Sequence, residues 1–505
     1  MSSTATAATA PDSEEFSGEI KVASRIIDYI SSGLYHSPAA CLKELINNSY
    51  DADASRVNVY VKPDADRIII EDDGTGMSRT EFVRHFARIA ESHKRDTSAV
   101  TAKGRPKIGK IGIGFIAANE ICEVMEIYST KAGSSELLYV SIDFSELRKP
   151  LEDRRREGGD IAKADYHGRV TDTDPESHYT RIFLTRVRGE AQEILAGATS
   201  QDSPGPKRSL YGLSAPSIRR ALTDPTLKSW KDFDTYSETM LQVGLNIPVP
   251  YHPEWLPDAF KPEVEEIEEH VLQLGFEVFY DGTELRKPIV FDPPSRALLR
   301  KFTFEGERVA ASGYLFAQHT TIRPRDLHGL LVRIRNAAVG EYDPSFWGFS
   351  PSEYSLLQRW VSVEIWADDR LEEAMNIDRR TLREAHPAYV ELRAAIHKEL
   401  RKVLSDTRSI LYQAGNTERR EQKAQTTIKA LDRVARERVE SVSPRAAAEL
   451  AASWDVNSDP KAQKQLLKKY TVTEIYTSVV DAAKGVITAE QLEELLRRLT
   501  RRFGR

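Results

Sequence analysis

Glu44, Asn48 and Asp51 fall at i, i+4 and i+7 within residues 37–54, SPAACLKELINNSYDADA, so on a helix they share one face. A carboxylate and a carboxamide one turn apart can hold a water and a magnesium ion, which takes oxygen ligands and keeps several waters. The same spacing also describes a polar face that is simply solvated. Asp72 ends an apolar run and is followed by Gly74, Gly76 and Met77 in EDDGTGM. A carboxylate there can accept a hydrogen bond while the glycines let backbone approach a flat ligand, or the residues form a plain Asp-Gly turn. In KIGKIGIGF, Gly109, Gly112 and Gly114 precede an apolar run that reads as a helix, and amides at a helix N-terminus can seat phosphate. Two decoys fail. GRPKIGKI has Ile where a P-loop needs a hydroxyl for the metal, and the glycine spacing misses the dinucleotide fingerprint.

The elements that must position these groups follow from patterning. Ser37 and Pro38 read as a cap and first turn, and Leu42, Leu45, Ile46 and Ser49 form a face that can pack on a sheet. Residues 19–35 read as an amphipathic helix ending near Gly33, and residues 56–71 as a hairpin turning at 63–66. Residues 81–91 read as a helix, followed by a basic loop. Residues 137–142 read as a strand, residues 143–177 as a charged insertion, and residues 179–185 (YTRIFLT) as a strand with Thr180 near its start. A second region begins near residues 257–263, with a hairpin turning at Asp281-Gly282. Alternation at 308–316, 329–334 and 360–366 predicts a mixed sheet. The loop NIDRR (376–380) precedes a long helix over 381–412, and from Gly415 the chain reads as almost wholly helical.

Composition narrows the class. A chain of 505 residues holds roughly two to four domains. A net charge of −6 argues against a binder of nucleic acid over its whole surface, without excluding local patches. Only Cys41 and Cys122 are present, which supports neither a disulfide framework nor a zinc site. The first residues lack a signal-peptide pattern and no run approaches a membrane span, so an intracellular, cytoplasmic protein is expected.

In order along the chain, ELINNSYDA, EDDGTGM, KIGKIGIGF and YTRIFL resemble the four nucleotide motifs of the GHKL ATPases, the group of gyrase, heat-shock chaperone, histidine kinase and MutL. The resemblance is greatest to the ninety-kilodalton heat-shock (HtpG-type) chaperones, whose opening helices are similar to residues 15–52 and whose middle domain has an Asn-Ile-x-Arg loop like NIDRR. It implies an α+β protein: a flexible tail (1–16), an N-terminal Bergerat-fold α/β sandwich ATPase domain (17–250), an α/β middle, transducer-like domain (251–412) and a helical C-terminal region (413–505) for dimerisation or partner binding. ATP and magnesium are the implied cofactors. By the resemblance Glu44 activates the attacking water, Asn48 ligates magnesium, and Asp72 accepts from the adenine amino group with Thr180 assisting through water. Asp51 joins the ATP-binding set. Gly74, Gly76 and Met77 line the adenine pocket, and Gly109, Gly112, Gly114 and Phe115 form a lid over the phosphates. Lys94 touches phosphate, and Arg379 reaches the γ-phosphate from the middle domain.

Tyr179 stands where that family usually has Gly, and the last ninety or so residues do not resemble its dimerisation domain. The implied function is a chaperone-like, homodimeric clamp whose domains close on ATP and act on a client protein. The alternative is a GHKL ATPase that works with nucleic acid, like MutL or MORC relatives, in genome maintenance or defence. The basic end RRLTRRFGR could touch nucleic acid, or could simply complement a helix dipole.

Overall fold

The computed structural model describes residues 14–23, 37–62, 65–85, 100–109, 114–148, 161–197, 207–293, 296–349, 358–376, 380–412 and 471–503, with isolated positions between 422 and 445. The protein is α+β. Residues 1–408 form one compact unit and residues 409–505 a second.

The helix expected from Ser37 is present as α1 (Pro38–Asp51), with the Ser37 hydroxyl accepting from the Ala40 amide at 3.3 Å. The hairpin is β2 (Arg56–Tyr60) and β3 (Arg67–Asp72), in antiparallel register from Val57↔Asp72 to Tyr60↔Ile69. A short helix, α2 (Arg79–His85), begins with a capping box: Glu81 accepts from both the amide and hydroxyl of Ser78. The strands β4 (Cys122–Thr130), β5 (Glu136–Asp143), β6 (Ile161–Asp172) and β7 (Tyr179–Val187) follow, then helices α3 (Gly189–Ala196), α4 (Ala215–Leu222), α5 (Thr235–Asn246) and α6 (Lys261–Gln273).

Two expectations are corrected here. Residues 19–23 are not helical but belong to strand β1 (Glu14–Ala23); residues 24–36 lie outside the described residues. The supposed insertion contains β6, which is hydrogen-bonded to β5 on one side and β1 on the other. The β1–β6 ladder explains the composition of both strands. Phe16 lies opposite Gly168 and Tyr166 opposite Gly18, and each ring fills the space where a Cβ on the facing glycine would sit.

β8 (Glu277–Tyr280) and β9 (Thr283–Glu284) form the expected hairpin, with Asp281 at φ 46° and Gly282 at φ 79°, as a two-residue turn requires. The sequence groups this hairpin with the second region, but β8 pairs in parallel with β2. The first sheet is therefore nine-stranded, in the order β1-β6-β5-β4-β7-β3-β2-β8-β9.

The second sheet comprises β10 (Ala297–Glu305), β11 (Ala310–Gln318), β12 (Gly329–Ile334), β13 (Ala337–Ala338) and β14 (Val361–Ala367), ordered β10-β11-β14-β12-β13. It is mixed, as expected, because β12 and β14 are parallel. One face packs on α7 (Pro387–Asp406) through Leu392, Ile396 and Leu400, while Tyr314, Phe316 and Leu331 join the core beneath the first sheet. Covered on both faces, β12 is buried along its whole length. The second unit contains helices α8 (Val472–Ala483) and α9 (Ala489–Phe503). Among the described residues no helix is long and apolar enough to cross a membrane.

Candidate functional site

Helix α1 sets the first group. Its apolar side, with Cys41, Leu42, Leu45 and Ile46 fully enclosed, fixes the rotation of the polar residues between them. Asn48 is exposed, whereas Glu44 is only 7% exposed and lies 3.5 Å from the Lys43 ammonium. Glu44 lines a small cavity with Lys43, Asn47 and Ile108, closed on the far side by Ile334, Ala337 and Met375. Asn47 is buried there and its Oδ1 has no hydrogen-bond partner among the described residues. The candidate general base thus lies where α1 meets the second sheet.

Asp51 closes the turn below Asn48. Both of its carboxylate oxygens are engaged, accepting from the amides of Ile108 at 2.7 Å and Gly109 at 2.6 Å. Gly109 passes so near that a Cβ there would lie 2.9 Å from Asp51 Oδ2 and 3.8 Å from Asn48 Oδ1. The glycine loop is therefore pinned at its start to the helix that bears Glu44 and Asn48. The preceding segment is stapled as well. Lys103 donates to the Asp53 carbonyl and the Ser55 hydroxyl, and Arg105 to the carbonyls of Ala54 and Gly275. The sequence gives this stretch as a loop, and nothing in its spacing discloses those anchors. The apolar run after the loop is not an α-helix but a 3-10 turn (Gly114–Glu120), kept short because β4 starts two residues later. Gly114 and Phe115 open that turn. Lys94, Gly112 and Arg379 lie outside the described residues.

Asp72, the last residue of β3, is 5% exposed. Its Oδ2 accepts from the Ser49 hydroxyl at 2.7 Å and its Oδ1 from the Gly74 amide at 3.0 Å. Burial lifts its carboxyl to about 6, against the pull of those two hydrogen bonds, which favour the charged form. No described cation forms an ion pair with it. Thr180, its partner across the β3–β7 ladder, lies 3.0 Å from the Ser129 hydroxyl. Ser49 and Ser129 were not singled out in the sequence: Ser49 reads there as part of a packing face, and Ser129 follows no motif.

The glycines after Asp72 are required sterically. A Cβ on Gly76, at φ 70°, would lie 1.9 Å from the Thr130 carbonyl oxygen, and one on Gly74 2.8 Å from that of Ala52. Met77 is half-buried and packs against the core. A buried acceptor beside close-packed backbone suits the amino edge of a flat heterocycle. For a metal, the described residues offer no cluster of three or more His, Cys, Asp or Glu. The exposed Asn48 carboxamide fits a magnesium ion that takes most of its oxygens from phosphate and water.

The family described as "Histidine kinase-, DNA gyrase B-, and HSP90-like ATPase" matches residues 35–180. The chain is 36% identical over 115 residues to a putative type II restriction enzyme, HgiDII, of Herpetosiphon aurantiacus (23% of this chain, 18% of that protein). It is 31% identical over 149 residues to the chaperone protein HtpG of Gluconobacter oxydans (25% and 23%), and 31% over 144 residues to the mitochondrial heat shock protein 75 kDa of Bos taurus (25% and 20%). The matched segment spans about a fifth of the length of each relative.

Proposed function

We propose that the chain, whose residues 35–180 match the family described as histidine kinase-, DNA gyrase B- and HSP90-like ATPase, binds ATP and hydrolyses it to ADP and phosphate. The observation that carries this reading is Asp72, a buried carboxylate beside two glycines that tolerate no side chain. In this reading Asp72 accepts from the adenine amino group, Thr180 assists through a water, and Gly74, Gly76 and Met77 line the purine. Glu44 orients the attacking water and takes its proton. Asn48 holds magnesium, which when bound with the triphosphate neutralises charge on the phosphoryl oxygens. Gly109, with Gly112, Gly114 and Phe115, covers the phosphates from a start that Asp51 fixes. Lys94 and Arg379 contact phosphate, and an arginine arriving from the middle region makes hydrolysis depend on closure.

Hydrolysis coupled to closure of a homodimer makes the protein a chaperone-like clamp, and the two heat-shock relatives support this assignment. A second reading, an ATPase acting with nucleic acid, is favoured by the relative named as a restriction enzyme. The basic end of α9 adds little to it, because Arg497 and Arg498 pair with Glu493 and Glu494 one turn back. Calorimetric titration with magnesium-ATP, paired with a phosphate-release assay, tests the central reading. Glu44→Ala is expected to bind nucleotide and lose hydrolysis by about 10²-fold or more, while Asp72→Asn loses binding. Normal turnover in Glu44→Ala would remove Glu44 from the chemistry. ATP-stimulated protection of an unfolded protein separates the clamp from salt-dependent DNA binding that disappears with residues 497–505.

A further inference from the structure

β12 and β13 are joined by a two-residue turn, Arg335-Asn336, in which both residues have positive φ, 52° and 68°. Such turns favour Asn, Asp or Gly, and an arginine in the left-handed region carries backbone strain. Its side chain is nevertheless almost wholly enclosed, at 3% exposure. The guanidinium makes contacts in two directions. Nε and Nη2 form a bidentate pair with Asp369 at 2.7 and 2.8 Å, and Nη2 lies 3.2 Å from Glu372. Nη1 donates to the backbone carbonyl of Lys107.

Those contacts join two segments distant in sequence. Lys107 immediately precedes Ile108 and Gly109, whose amides are held by Asp51. Asp369 and Glu372 belong to the 3-10 turn Asp369–Ala374, which runs directly into Met375. Met375 lines the cavity of Glu44 and bridges to Leu382, and Asn376 donates to the Thr381 carbonyl and hydroxyl, closing the base of the NIDRR loop. One guanidinium thus joins the residue before the glycine loop to the 3-10 turn that leads into the NIDRR loop.

We propose that Arg335 is a positioning residue that locks the segment Lys107–Gly109 to the second sheet, so that the glycine loop takes its placement from both α1 and that sheet. Lysine could reach the Lys107 carbonyl but could not also grip Asp369 with two parallel bonds. The strain of the turn is tolerated because the fork needs this departure point. Only the catalytic consequence rests on the ATPase reading; the tether itself does not.

Two measurements on the full chain separate these claims. The first is amide hydrogen exchange across residues 107–109 without nucleotide. Arg335→Ala and Asp369→Asn are expected to speed exchange of the Ile108 and Gly109 amides by about tenfold, with Arg335→Lys between them and wild type. Unchanged exchange in Asp369→Asn and Arg335→Lys overturns the tether, and these two variants decide the matter even where Arg335→Ala does not fold. The second is steady-state ATP hydrolysis, where kcat is expected to fall about tenfold or more while KM stays within about threefold. Faster exchange with wild-type kcat overturns the coupling. A wild-type chain without hydrolysis overturns the ATPase reading and the coupling, while exchange still decides the tether.

Discussion

Asp72 makes opposite demands on stability and on binding. Its carboxyl is lifted by burial to about 6 from an ordinary 3.8, so between those values the folded chain holds more proton than the unfolded one. Stability is therefore fullest at the acid end of this window and declines as pH rises through it, the reverse of a salt-bridged carboxylate. Acceptance of an amino-group hydrogen bond needs the anion. Adenosine, which brings no phosphate to titrate, is expected to bind with an affinity that rises with pH up to about 6 and then levels, falling up to about tenfold per unit below. Calorimetry from pH 5 to 8 reads this directly, and a flat profile would remove Asp72 from purine recognition. Ser49→Ala provides an internal control. Losing a donor to the charged form should push the Asp72 carboxyl further up and move the binding midpoint to higher pH.

Among the described elements, the turn after β3 leaves no room for a side chain at Gly76. Gly76→Ala must place a methyl group against the Thr130 carbonyl and hold an L-residue at φ 70°, so a loss of about 2 kcal/mol or more is expected in urea denaturation. If it proves as stable as wild type, the close approach of the turn to β4 is incorrect. This turn and α1 were both legible in the sequence, because a capped helix with a fixed polar face and an acid-glycine turn are local patterns. β1 and β6 were not. Residues 14–23 contain apolar positions that suit either period, and what makes them a strand is the distant partner that sets Phe16 over Gly168 and Tyr166 over Gly18. β6 was hidden for the same reason: its charges and glycine read as an insertion until a neighbouring strand supplies the rings. Arg335 was invisible in another way, since its role depends on a carbonyl 228 positions away in sequence.

For residues 1–408 taken whole, the seam that joins the second sheet to α5 and the segment after it is sealed by charge as well as by apolar packing. Arg333 and Glu364, from the parallel pair β12 and β14, are both fully buried, with Arg333 Nε 2.5 Å from Glu364 Oε1. Glu364 Oε2 accepts from the hydroxyls of Tyr251 and Tyr314, each at 2.7 Å, and Arg333 Nη1 donates to the Leu245 carbonyl at 2.9 Å. Leu245 and Tyr251 come from α5 and the segment after it, so the network crosses from the helices beside α1 to the second sheet. Lys287, also buried, donates to the Val249 carbonyl, and burial together with the Arg333 charge holds its ammonium well below the usual lysine range. A sequence cannot announce such a set, because its members are scattered along the chain. Removing one member leaves the rest charged in the core. Glu364→Gln, which leaves Arg333 without its counter-ion, is expected to cost about 3–5 kcal/mol, whereas Tyr251→Phe forfeits one hydrogen bond to a charged group at about 1.5–3 kcal/mol. Urea denaturation of both variants measures the difference. Near-equal, small losses would mean that apolar contacts alone hold the seam, and that a closing motion could open it cheaply. The larger loss in Glu364→Gln would instead mean that the buried ion pair and the hydrogen bonds around it hold the second sheet to α5 and the segment after it.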